Sequence, residues 1–339
     1  MSHEGASSSR ADDRLGGTLF ALAAGLLWGL VFAAPLLLPQ YPAAMLSASR
    51  YLAFGLIALP LAWLDWRGLR ELQPRDWLEA LKLGLVGNLL YYLCLAAAIQ
   101  RAGGPLPTMI IGTLPVVIAI VSNRRDARRD GRVPWPRLAP SLLVIAAGIG
   151  LLNHAEFAHW QVESAAAGQS PQRYLLGALL ACGAVACWTW YPLRNADWLR
   201  EHAGRSPRTW ATAQGLATLP PAALAFVLFW VWQSGSSPSF PMPLGPQPAL
   251  FVGLMLSIGL LASWLGTLCW NEASQRLPTT VVGQLIVFET LAALAYAYAL
   301  RGRWPDAESA LGIALLVAGV LWALRVQRDP PATPAAGSA

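Results

Sequence analysis

The 339-residue chain is 55% hydrophobic, only 12% charged, and carries a formal net charge of +6. Apolar runs long enough to cross a bilayer recur along nearly its whole length, which excludes an ordinary soluble enzyme and leaves no room for a separate soluble domain. The positive balance is almost all arginine, with Lys82 the sole lysine, and it is scattered over short connections, which excludes a basic nucleic-acid surface.

Taken in order, the expected membrane segments are 15–38, 42–64, 76–100, 104–122, 136–154, 173–196, 207–232, 246–272, 276–300 and 306–325. The first begins at Leu15, is too long for a signal core and lacks a small-residue cleavage site, so it reads as an uncleaved first helix. Pro39-Gln40-Tyr41-Pro42 is a tight turn. Arg67, Arg70 and Arg75 fill the next connection, and the run from Asn123 to Arg132 is the most basic of the chain. Arg194, Arg200, Arg205 and Arg208 follow the sixth segment. Alternating the segments puts most arginines on one face, which the positive-inside rule makes cytoplasmic, together with both termini. Residues 1–14 and 326–339 are expected to be disordered tails, and 155–172 an outer loop. Cys94, Cys182, Cys187 and Cys269 all fall in apolar runs and read as small buried hydrophobes. His154, Glu156 and His159 lack the spacing of a helical zinc site and read as solvated loop residues; no metal is expected.

The chain states itself twice. Pro107-Thr108-Met109-Ile110-Ile111-Gly112-Thr113-Leu114 returns as Pro278-Thr279-Thr280-Val281-Val282-Gly283-Gln284-Leu285. Leu90, Leu93, Cys94, Ala98, Gln100 and Arg101 match Leu265, Leu268, Cys269, Ala273, Gln275 and Arg276. Trp135-Pro136 matches Trp304-Pro305, Ala147-Gly148-Ile149 matches Ala318-Gly319-Val320, Trp28 matches Trp188, and Arg50 matches Gln214. Units 15–154 and 173–325 each hold five segments, an odd number, so the second enters the membrane in the opposite sense. The expected fold is therefore an all-α integral membrane protein with ten transmembrane helices in two inverted five-helix repeats, an architecture whose substrate sites lie between the halves.

The second unit carries Glu289 where the first has Ile118, about a dozen residues from the nearest arginine on either side and so near the bilayer midplane. A carboxylate at that depth must find a partner, water or a proton. It reads as a coupling or substrate group, the plain alternative being a structural Glu that packs two helices. Ala292, Ala293 and Tyr296 extend its face. Arg50 either snorkels to the surface or faces the interior and attracts a carboxylate; Lys82 reads as snorkelling. Asn88, Tyr91 and Tyr92 share a helix face. Most tryptophans read as interfacial anchors, but Trp28 and Trp188 sit deeper and are candidates for a cavity wall. Gln284 could hydrogen-bond a solute or another helix. The small-residue stripes Ala147-Gly148 and Ala318-Gly319 could pack within one chain or between two copies, making a homodimer a further expectation.

Trp28-Gly29, Arg50, the Ala-rich end of the third segment, Gly112-Thr113-Leu114-Pro115-Val116 and the Gly-Val ends of the fifth and tenth segments occur in order. As an ordered set over residues 15–325 they resemble the EamA-type proteins of the drug/metabolite transporter superfamily. The chain departs from that pattern at Ile286-Val287-Phe288-Glu289, where a proline is common, and at Arg301-Gly302-Arg303. The resemblance implies a bacterial inner-membrane exporter of small metabolites, amino acids included. It also implies alternating access around a site bounded by helices 1, 3, 4, 6, 8 and 9. No cofactor is expected; the proton motive force is the energy source considered. A lipid or lipid-linked carrier translocase on the same scaffold is the nearest alternative, and a non-transporting scaffold or sensor is the alternative of a different class. No phosphate loop or nucleophile elbow points to an enzyme.

Overall fold

A computed structural model describes residues 2–102, 107, 110–125, 134–167, 171–236, 240–302 and 304–326. Among them every regular element is helical. Helix α1 runs Ser2–Gly29 and continues through the 3-10 turn Leu30–Phe32 and the short Ala33–Leu37. It thus takes in residues expected from composition to be a tail. Helix α2 is Ala43–Leu64, and α3 joins Pro74–Lys82, a π-helical stretch Leu83–Leu90 and Tyr91–Ala102. Then come α4 (Leu114–Arg125), α5 (Trp135–Ala167), α6 (Pro171–Glu201) and α7 (Pro207–Ser236). Helix α8 repeats the plan of α3, with Pro248–Ile258, π-helical Gly259–Leu265 and Gly266–Arg276. Helix α9 is two pieces, Thr279–Leu285 and Val287–Arg301, and α10 is Ala307–Val326.

Eight helices among the described residues are long and apolar enough to cross a membrane. Helices α4 and α10 are the two expected spans not among these eight, α10 having a shorter apolar stretch, Ala307–Trp322. Parts of the expected fourth segment, the basic run from 126 to 132 and the tail beyond 326 lie outside the described residues. Helix α5 runs on to Ala167, so most of the expected outer loop is helical, and His154 Nδ1 lies 2.7 Å from Glu308 Oε1 at the start of α10.

The principal helix pairs are α5–α10, α2–α7, α3–α6, α1–α8, α1–α9, α2–α8, α3–α7 and α4–α9. Glycines set how closely several of them approach. A Cβ on Gly84, at the start of the π-helical part of α3, would come within 3.2 Å of Thr218 Cβ on α7. A Cβ on Gly259, at the start of the π-helical part of α8, would come within 3.1 Å of the Phe54 amide on α2. Gly148 on α5 faces the Leu316 amide of α10 and Gly319 on α10 faces the Ile145 amide of α5, with Cβ approaches of 2.9 and 3.1 Å. The small-residue stripes of these helices are therefore used within the chain.

The two ends of the bundle differ chemically. At the arginine-rich end, Arg194 Nε donates to Glu79 Oε1 at 2.5 Å, Trp198 Nε1 donates to Asp76 Oδ1 at 2.8 Å, and Arg205 donates to both the side chain and the carbonyl of Glu71. Arg208 and Thr209 reach Asp65, and Arg125 reaches Asp197. At the opposite end the corresponding tie is aromatic. The Tyr41 ring stacks on Phe251 at 4.9 Å and meets Phe240 edge-on, while its hydroxyl donates to Leu244 O and accepts from Gln247 N.

Candidate functional site

Widening a helix to π geometry offsets side chains by one position and is common where a helix serves a site. In α3 and α8 the widened stretches carry the buried polar residues Asn88 and Ser263, which the repeat sets opposite each other. Ser263 Oγ accepts a 3.1 Å hydrogen bond from Arg50 Nε. Arg50 is only 6% exposed, so it does not reach for the surface. Its guanidinium carbon lies 4.8 Å from the Tyr51 ring centre and 5.2 Å from that of Tyr92, where ring quadrupoles stabilise a cation removed from water. Among the described residues it makes no other hydrogen bond, which leaves its Nη donors for a further acceptor. Lys82, half exposed and 3.5 Å from Glu79, belongs instead to the arginine-rich end.

An aromatic wall stands near this cation. Trp28 on α1 meets Trp188 on α6 edge-on at 5.2 Å and Trp270 on α8 at 5.0 Å. Trp188 in turn stacks between Tyr91 at 4.6 Å and Tyr191 at 5.1 Å. The indole N–H groups of Trp188 and Trp270 are buried with no acceptor among the described residues, so two donors are left within the wall. Trp198, Trp210 and Trp270, not singled out from the sequence, are also buried, whereas Trp63, Trp232 and Trp304 are exposed.

Helix α9 breaks at Ile286, and Glu289 stands in the first turn of the second piece, its amide bonded back to Ile286 O at 3.0 Å. The break lets α1 come to backbone contact, since a Cβ on Gly25 would lie 3.0 Å from the Glu289 amide. Among the described residues the Glu289 carboxylate has neither a hydrogen bond nor an ion pair, yet Arg50, Tyr51 and Tyr91 all lie within its electrostatic range. Gln284 is buried in the first piece of α9. Tyr296 donates its hydroxyl to Leu26 O at 3.1 Å, pinning α9 to α1.

A cavity of about 230 Å³ opens toward the end opposite the arginine-rich one, between α1, α2 and α3. Its walls are apolar, from Val31, Pro35, Leu46, Leu95 and Ala96, and Tyr92 joins it to the Arg50 guanidinium. The structure therefore unites Arg50, Tyr92 and Ser263 on one side and Trp28, Trp188 and Tyr91 on another. Tyr51 and Trp270 also take part. Tyr51 directly follows Arg50 in the chain, and Trp270 lies seven residues after Ser263, two helical turns on, a spacing that could have marked it.

The EamA-like transporter family profile matches residues 15–123. The inner membrane protein YtfF of Escherichia coli (strain K12) is 50% identical over 319 residues, which cover 94% of this chain and 98% of that protein. A protein of known crystal structure, 22% identical, has the same fold with a TM-score of 0.68, covering 93% of this chain and 99% of that one.

Proposed function

This chain belongs to the EamA-like transporter family, and on that premise we propose that it is a secondary exporter of a small organic metabolite, an amino acid or a related zwitterion, working by alternating access. The observation that carries this reading is a buried guanidinium with donors to spare and an unpaired carboxylate, held within electrostatic range in one aromatic-walled region. Arg50 would take the solute's carboxylate, Glu289 its ammonium group or a proton, and the walls of Trp28, Trp188, Tyr91 and Tyr92 its side chain. Asn88 and Gln284 would supply neutral hydrogen bonds. Tyr296 would hold α9 in place.

In this reading the ten helices form two inverted halves. Exchanging α1 with α6, α2 with α7, α3 with α8, α4 with α9 and α5 with α10 maps these principal helix pairs onto one another, except that the close α1–α9 pair becomes the slighter α4–α6 contact. The same exchange turns the Gly84–Thr218 approach into Gly259–Phe54, and Gly148–Leu316 into Gly319–Ile145. Substrate sites of inverted-repeat transporters lie between the halves near the midplane, where Glu289 falls. The arginine-rich end with both termini is assigned to the cytoplasm of a bacterial inner membrane. Any homodimer would use surfaces other than the α5–α10 glycines.

Uptake of labelled metabolites, pooled by charge class, into everted membrane vesicles under an imposed pH gradient tests the proposal. Saturable uptake of zwitterions that collapses with the gradient is the expected result. Uptake indifferent to the gradient removes proton coupling. No uptake in any pool overturns the exporter reading in favour of lipid translocation or a non-transport role.

A further inference from the structure

The cavity and a buried polar network occupy equivalent places in the two halves. The register that pairs Trp28 with Trp188 also pairs Val31 with Tyr191 and Pro35 with Asn195. That of Arg50 with Gln214 pairs Leu46 with Trp210, and that of Leu90 with Leu265 pairs Ala96 with Asn271. Val31, Pro35, Leu46 and Ala96 all line the open cavity. Their counterparts fill the corresponding place toward the arginine-rich end with one connected set of hydrogen bonds. Asn195 Oδ1 accepts from Trp210 Nε1 at 2.8 Å and from Gln214 Nε2 at 3.1 Å, and Asn195 Nδ2 donates to Asn271 Oδ1 at 2.9 Å. Tyr191 donates to Gln214 Oε1 at 2.9 Å, and Trp210 stacks on Trp198 at 3.5 Å between ring centres. Asn195, Gln214 and Asn271 are fully buried.

The ties that flank these two places also correspond. Helices α3 and α8 each start at a Gln-Pro pair, Gln73-Pro74 and Gln247-Pro248. Tyr41 holds the segment before α8, and its repeat counterpart Arg205 holds the segment before α3.

We propose that the Asn195-centred network is the closed form of a second vestibule, the repeat image of the open cavity, and that the molecule exchanges the two. The inference rests on the alternating-access reading and names the residues that part in the other state. Opening the second vestibule separates Asn195 and Trp210 from Asn271, while the walls around Val31, Leu46 and Ala96 collapse on one another. A polar seal suits such a gate. Its groups find water when it opens, so the open form is not burdened with exposed tryptophan and leucine alone.

Paired accessibility in detergent tests the exchange without any transport assay. In a background lacking the four native cysteines, Ile99→Cys reports on the cavity wall and Ser274→Cys on its buried counterpart. A membrane-impermeant maleimide should label the first and spare the second. Adding Asn195→Leu, or the milder Trp210→Phe that removes one hydrogen bond and keeps a ring, should raise labelling at 274 and lower it at 99, each by about fivefold or more. Labelling that rises at both positions, or changes at neither, in protein that stays monodisperse overturns the proposal. Reciprocal labelling with no flux in vesicles would leave the exchange standing and sink the exporter reading. Flux without reciprocity would do the reverse.

Discussion

Gly25 of α1 faces the backbone of Glu289 so closely that a Cβ there would lie 3.0 Å from its amide nitrogen. The carboxylate is thus positioned by a contact between two backbones, with no side chain in between to yield. Gly25→Ala should shift α9 by a few tenths of an ångström and slow transport severalfold. Gly25→Val should abolish transport while leaving membrane insertion intact, since the residue stays apolar. Vesicle flux beside the amount of membrane-integrated protein checks both.

Glu289→Gln keeps the shape of the side chain and removes its ability to gain or lose a proton. The expected outcome is a protein that still exchanges solute across the membrane but no longer accumulates it against a gradient. Its rate should be flat over the pH range in which the unaltered protein responds. Counterflow and gradient-driven uptake, measured on the same vesicles, separate the two properties.

Arg50→Lys retains the charge but loses the planar fork and the Nε bond to Ser263. Charge-assisted hydrogen bonds contribute about 1.5–3 kcal/mol. Half-saturation for a solute bearing a carboxylate should therefore rise about tenfold or more, with a smaller change in maximal rate. Arg50→Met should cost more, because the carboxylate is then buried without a partner. Initial rates against solute concentration for the two variants give the comparison.

Glu79 on α3 and Arg194 on α6 form a short ion pair, with the arginine side chain 45% exposed and the carboxylate 10%. Partial exposure limits such a pair to about 1 kcal/mol of coupling. In a double-mutant cycle on apparent melting temperature in detergent, Arg194→Ala should be the worse single change, because it leaves a largely buried carboxylate with Lys82 alone, whereas the half-exposed guanidinium stays solvated and near Asp197 and Glu201. The double variant should lose less than the sum of the two.

The all-helical membrane fold could be read from the residues because long apolar runs mark spans, and matching stretches of sequence suggested which helices to compare. Leu90 to Arg101 returning as Leu265 to Arg276 placed α3 and α8 in register, and the structure adds that both widen at the matching stretch. Arg50 and Trp28 were legible as candidates for the interior because polar or amphipathic groups at mid-helix stand out against an apolar run, but the choice between snorkelling and burial for Arg50 was left to the structure. Tyr296 was legible only as sharing a face with Glu289; that its hydroxyl goes to Leu26 depends on where α1 lies. The Asn195 network was not legible at all. Its members sit on α6, α7 and α8, far apart in sequence, and each alone looks like an ordinary polar residue near a helix end. Trp198, Trp210 and Trp270 went unmarked for a related reason: hydropathy reports depth along a helix and says nothing of which side faces lipid.

The unlike ties at the two ends give the solvent separate handles on them. The contacts of Arg194, Arg205 and Arg208 with carboxylates weaken as ionic strength rises, the more exposed ones first. The grip of Tyr41 on Phe240 and Phe251 is not screened by salt and loosens on cooling, as apolar association does. High salt should therefore favour opening at one end and low temperature opening at the other. The two faces of one membrane protein would in this way answer to different variables of the same solution, one to its ions and the other to its temperature.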